Sequence, residues 1–131
     1  ASTFGGNPVS CAAAVATIKL LRDSLVANAA TVGAFLLEGA KALMDKHHII
    51  GDVRGKGLMI GIELVKDRAT KERAITERDA VVLNCFYKGL LVLGAGKNVI
   101  RLSPPLTLTK DQAKTALELL DAAIGDAAGR T

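Results

Sequence analysis

From position 8 onward, apolar residues recur every three to four places, with Ala12, Val15, Ala16, Ile18 and Leu21 on one side of a helix over residues 8–25. Asn7 suits the cap and Pro8 the first helical position, where a missing N–H is no loss. A break at residues 24–28 precedes a second helical run to about residue 48, carrying Val32, Phe35, Leu36, Leu43 and Met44. Residues 8–48 are therefore expected to form a helical hairpin. At Gly51 the punctuation changes to a glycine-rich turn over 51–57, followed by alternating apolar positions over 58–65 that predict a strand. Gly61 inside that strand signals close backbone approach. Residues 66–73 read as a charged surface loop. Thr76 with Asp79 predicts a capped third helix through Val81, Val82, Cys85, Phe86 and Tyr87 to a stop at Gly89.

The remaining pattern is a short strand over 90–93, a turn over 94–98 and an antiparallel partner strand over 99–102, closed off by Pro104 and Pro105. Thr109 and Gln112 form a capping box ahead of a last helix with Ala113, Ala116, Leu117, Leu120 and Ile124 on one face. Residues 125–131 are expected to fray. The predicted order is α-α-β-α-β-β-α, an α+β fold with a small, mostly antiparallel sheet covered by helices, residues 51–124 forming the α+β lobe.

Composition narrows the class. The chain has 131 residues, 50% of them hydrophobic, enough for one core and a single domain. No run approaches the roughly 18 apolar residues of a membrane span, and the polar, glycine-rich start is unlike a signal peptide. A soluble, cytoplasmic protein without a membrane partner is the expectation. A formal charge of +4 is spread along the chain and only 3% of residues are aromatic, which argues against nucleic acid. Cys11 and Cys85 read as reduced core thiols. His47 and His48 read as a solvated helix end, with no further histidine to complete a metal shell. Gly55-Lys56 and Gly96-Lys97 lack the rest of a phosphate-binding P-loop. Lys66, Arg68, Lys71 and Arg73 alternate with Asp67 and Glu72 as a solvated loop does.

Two features carry candidate chemistry. Ser2-Thr3-Phe4-Gly5-Gly6-Asn7-Pro8 places hydroxyls, glycines and a helix N-terminus together, which is either an ordinary capped turn or a loop ready for an anion. Arg101 interrupts the apolar run Val99-Ile100-Arg101-Leu102, either pointing to solvent from an edge or offering its planar fork to a carboxylate. Asp52 and Arg54 read as a turn that closes on itself. The first helix is apolar enough that part of its surface is expected to face another domain or subunit.

Four motifs in sequence now resemble one family. They are residues 2–8 followed by Cys11-Ala12-Ala13-Ala14, then Gly51-Asp52-Val53-Arg54-Gly55-Lys56-Gly57-Leu58-Met59, then Gly89-Leu90-Leu91, then Asn98-Val99-Ile100-Arg101-Leu102-Ser103-Pro104-Pro105-Leu106. Together they resemble the C-terminal portion of class III pyridoxal-phosphate aminotransferases, the ornithine, acetylornithine and 4-aminobutyrate group. The fold implied is the C-terminal small domain of fold type I enzymes, and the cofactor implied is pyridoxal 5'-phosphate. By that resemblance Thr3 holds the cofactor phosphate of a neighbouring subunit, and Ser2 touches substrate in acetylornithine-type members. Arg101 clamps the α-carboxylate of an amino acid or 2-oxo acid, and the 51–57 turn is structural. The parent enzyme is expected to be a homodimer or larger, with active sites at the subunit interface. The turn over 93–98 looks slightly closer to 4-aminobutyrate-type members, with acetylornithine or ornithine aminotransferases and amino acid racemases as alternatives.

Transamination needs a lysine that binds the cofactor covalently. In the family it lies upstream of the Ser-Thr motif, and Lys19, Lys41 and Lys46 stand in the wrong order to replace it. The resemblance therefore implies a fragment with no catalytic residue of its own and no activity alone. A reading from a different class stands beside it, a free-standing α+β binding or oligomerisation module without cofactor.

Overall fold

Asn7 starts the first helix by accepting the amides of Val9 (2.9 Å) and Ser10 (3.2 Å) on its side-chain oxygen. The computed structural model describes residues 2–129. Helix α1 (Pro8–Leu20) runs through a π-helical turn (Leu21–Leu25) directly into α2 (Val26–Lys46). The expected hairpin over 8–48 is thus a single rod. No glycine or proline lies between residues 21 and 32 to break it. Asn28, read as part of a break, turns its amide outward to the carbonyls of Leu106 (2.7 Å) and Leu108 (3.0 Å). With that partner its side chain no longer competes with the helix backbone. Helix α1 buries no residue. Cys11 is consequently exposed, against expectation, whereas Cys85 is fully buried and its thiol is pushed up to about 11 by that burial.

The glycine-rich stretch over 51–57 is mostly a strand. Strand β1 (Ile50–Lys56) pairs antiparallel with β2 (Met59–Asp67) across a tight turn in which Gly57 has φ +56°. Gly51 and Gly55 serve close approach instead of turning: a Cβ on Gly51 would sit 2.7 Å from the Val65 side chain, and one on Gly55 would sit 2.5 Å from the Met59 carbonyl. Within the expected 66–73 loop, β2 runs on to Asp67, and β3 (Glu72–Arg73) pairs with it. Arg68, read as a solvated charge, donates to the carbonyls of His48 (3.1 Å), Ile50 (3.0 Å), His47 (3.0 Å) and Met44, closing the C-terminus of α2. His47 is not solvated either: its Nε2 lies 2.6 Å from Asp121, which also binds Lys46.

Helix α3 (Ile75–Tyr87) starts at Ala74 without a side-chain cap, so the Thr76–Asp79 box does not form. Its end is a Schellman motif, with Gly89 at φ +86°, Gly89 N–H donating to Phe86 and Leu90 N–H to Cys85. That motif takes the amide of Leu90, and the next strand begins later than expected, as β4 (Leu93–Ala95). It pairs with β5 (Val99–Leu102). The Thr109–Gln112 capping box forms as expected and starts α4 (Lys110–Ala128), which continues to Ala128 within the stretch expected to fray because Ala127 is buried, while residues 130 and 131 lie outside the described residues.

The sheet order is β1-β2-β5-β4 with β3 beside β2, every pairing antiparallel. Ile60, Ile62, Leu64 and Ile100 face the core formed with Leu36 and Ala40 of α2, Val81 of α3 and Leu120 and Ile124 of α4. This is the α+β class the pattern implied. No helix among the described residues is long and apolar enough to cross a membrane.

Two outcomes test this architecture. A Cβ on Gly33 of α2 would lie 2.2 Å from the backbone of Gly57, so Gly33→Ala should lower the unfolding free energy by about 2–3 kcal/mol despite alanine's helix propensity, read as a lower urea midpoint. The Asp121 carboxyl is held below its ordinary 3.8 by hydrogen bonds from Lys46 first and His47 second. Its stabilisation is therefore complete above pH 3.8 and is lost as pH falls through the lower folded value. Asp121→Asn should flatten that acid limb in thermal melts taken below pH 4.

Candidate functional site

Helices cover one face of the sheet and leave the alternate residues of each strand on the other. The register places Arg54 of β1 opposite Gly61 of β2, Gly61 opposite Arg101 of β5, and Arg101 opposite Leu93 of β4, making one row across four strands. The row is fixed by Asn98, buried just before β5, whose side chain donates to the Leu64 carbonyl (2.7 Å) while its own carbonyl accepts from Leu64 N–H (2.8 Å). After β5 the chain turns at Pro104 and Pro105, held by Asn28 from one side and by the capped start of α4 from the other.

Arg101 is exposed, and its guanidinium makes no hydrogen bond or ion pair among the described residues. Among the described residues it is the one charged residue at the edge of a cavity of about 450 Å³, whose walls include Leu91, Leu93, Leu102 and Leu120 and whose further polar residues are Ser103 and Gln112. A free guanidinium beside apolar walls suits a small molecule with a carboxylate at one end. Arg54, by contrast, is occupied. It binds Asp52 and, at 2.9 Å, Glu63, and these hydrogen bonds, Asp52's first, hold the guanidinium's pKa above its ordinary value. Asp52 and Arg54 do pair, but within a strand, and the share taken by Glu63 had only the strand alternation of β2 as a signal.

The loop over residues 2–6 is exposed and Asn7 half-buried, with Gly6 at φ +83° and Asn7 N–H donating to the Phe4 carbonyl (3.3 Å). Asn7 already takes two amides of the helix start, so an anion here would find the hydroxyl and N–H of Thr3 and the hydroxyl of Ser2. The structure does not bring these residues to Arg101. Among the described residues, helix α1 touches no helix or strand beyond the π-turn, and about 27 Å of helix separates Pro8 from Val26 at 1.5 Å per residue. No lysine lines the Arg101 cavity, while Lys41 binds Glu38 and Lys46 binds Asp121. Among the described residues, the loop offers hydroxyls at Ser2 and Thr3 and β5 offers a guanidinium at Arg101, each open to an anion.

Residues 1–124 match the family model for class-III aminotransferases. The chain belongs to that family. It is 42% identical over 127 residues to a leucine/methionine racemase of Thermococcus litoralis, covering 96% of this chain and 29% of that protein. It is 44% identical over 123 residues to alanine–glyoxylate aminotransferase 2 homolog 2, mitochondrial, of Arabidopsis thaliana, covering 92% and 26%. Among solved structures, an amine transaminase from an uncultivated Pseudomonas species in its PLP-bound form superposes with a TM-score of 0.89 at 40% identity, covering 96% of this class-III chain and 29% of that one. The chain spans under a third of the length of these curated relatives. Pyridoxal phosphate is the cofactor that class-III membership implies.

Proposed function

We propose that this chain is the C-terminal domain of a pyridoxal-phosphate transaminase that moves an amino group between an amino acid or ω-amino acid and a 2-oxo acid, of the 4-aminobutyrate type. The observation that carries the reading is the unpaired Arg101 guanidinium beside an apolar cavity. Arg101 donates two parallel N–H bonds to the two oxygens of the substrate carboxylate, fixing the plane and direction of the molecule. Thr3 gives its hydroxyl and N–H to the cofactor phosphate of a neighbouring subunit, with Ser2 beside the substrate. The distance along α1 supports that division of labour. The parent is accordingly a homodimer or larger, placed in the cytoplasm. Pyridoxal phosphate, when bound, supplies the electron sink for amino-group chemistry.

Membership in a family whose relatives include a leucine/methionine racemase at 42% identity supports a second reading, amino acid racemisation. Arg101 serves both, since either reaction begins by holding a carboxylate. Incubating the full-length enzyme with a single L-amino acid, with and without a 2-oxo acid, separates them: amino transfer requires the acceptor and inversion does not.

In the full-length enzyme, Arg101→Gln should raise the KM for the carboxylate substrate about 30-fold or more, the equivalent of losing about 2 kcal/mol from a charge-assisted pair. An unchanged KM removes Arg101 from the site. The 131-residue chain by itself, mixed with pyridoxal phosphate, should show no amino transfer, and borohydride reduction followed by peptide mapping should find no single lysine selectively labelled. Selective labelling of one lysine would overturn that expectation.

A further inference from the structure

Arg101 stays unpaired although a carboxylate stands close by. Glu63 faces Val99 across the β2–β5 pair, two residues along from the Gly61–Arg101 pair and on the same open face. Such diagonal neighbours have Cα atoms about 7–8 Å apart, within reach of long side chains of opposite charge. Gly61 places no side chain between them. That geometry makes Glu63 a competitor for the fork of Arg101 wherever its carboxylate is free to turn.

Its two oxygens are engaged elsewhere. Oε2 accepts from Arg54 Nη1 at 2.9 Å, and Oε1 faces Asn98 Nδ2 at 3.4 Å. Arg54 lies on the far side of Gly61 in the same row and is steadied by Asp52 on its own strand. We propose that Arg54, supported by Asn98, is a positioning residue that draws the Glu63 carboxylate away from Arg101 and so keeps this neighbour from competing for the carboxylate clamp. This rests on the reading of Arg101 as the substrate clamp. It assigns a purpose to the aspartate, arginine and glutamate cluster beyond tying β1 to β2: Arg54 satisfies a built-in competitor of the substrate.

The test uses the full-length, cofactor-loaded enzyme, with KM and kcat for the 2-oxo acid and calorimetric affinity for glutarate, a carboxylate with no group that can react. Arg54→Gln should raise KM and weaken glutarate binding about two- to fivefold, the size of one exposed diagonal ion pair, with kcat within about twofold of wild type. The double variant Arg54→Gln/Glu63→Gln should return both quantities to near wild type, because the competitor is gone. Arg54→Lys, which keeps a cation beside Glu63, should lie between. A double variant no better than Arg54→Gln, or a single variant that lowers kcat and leaves KM alone, overturns the proposal. Should Arg54→Gln fail to fold, Arg54→Met preserves the packing of the stem and carries the same expectations. Arg101→Gln run alongside separates two failures. If it leaves glutarate affinity intact, the clamp reading itself falls; if it weakens binding while Arg54→Gln does not, only the positioning role falls.

Discussion

The pairing of β5 with β2 is the constraint from which the open face follows. In an antiparallel sheet side chains alternate between faces, so a slip of one residue would turn Ile100 out to solvent and drive Arg101 into the hydrocarbon core. Burying an unpaired guanidinium there is prohibitively costly, and the fully buried Ile100 contributes in the opposite sense. Asn98 adds a second lock. It is buried, both its backbone carbonyl and its side-chain amide are used on Leu64, and both bonds would be lost in any other register. The same alternation that fills the core with isoleucine therefore aims Arg101 outward.

Glycine is used in this fold mainly to let backbones touch. Gly33 meets the β1–β2 turn, Gly51 meets Val65, and Gly55 meets the start of β2. Each contact brings a helix or strand closer to its neighbour than a Cβ would allow. Only Gly6, Gly57, Gly89 and Gly96 among the glycines adopt positive φ. Gly61 is a third case, neither crowded nor twisted. It keeps the middle of the Arg54–Arg101 row free of bulk.

The rod formed by α1, the π-turn and α2 has two unlike halves. The α2 half packs on β1 and α4, whereas the α1 half, rich in alanine and carrying exposed Val9, Val15, Ile18 and Leu20, rests on nothing described in this chain. A helix of that length without a packed face draws little stability from its own hydrogen bonds in water. In a family whose curated relatives are more than three times as long, that bare face fits a role against the rest of a larger protein. The rod also carries the anion-ready loop at its N-terminal end, while Asn28 near its middle holds the chain that follows Arg101.

Sequence alone fixed those features that depend on near neighbours. The capping box at Thr109, the glycine stop at Gly89, the antiparallel β4–β5 turn and the apolar stripe of α4 each rest on contacts between residues a few positions apart, and the pattern of residue types expresses such contacts directly. The α+β class followed from them, and the motifs around Thr3 and Arg101 pointed to the family. What the pattern left out is long-range. Asn28 holds a loop some eighty positions away, Arg68 closes a helix that ended twenty positions earlier, and His47 meets Asp121 on the last helix. Glycines that permit close packing look, one residue at a time, the same as glycines that turn, which is why β1 was read as a loop. The proximity of Glu63 to Arg101, and its capture by Arg54, came into view only when three strands lay side by side, because strand register is set by the burial of a whole face and no single residue type announces it.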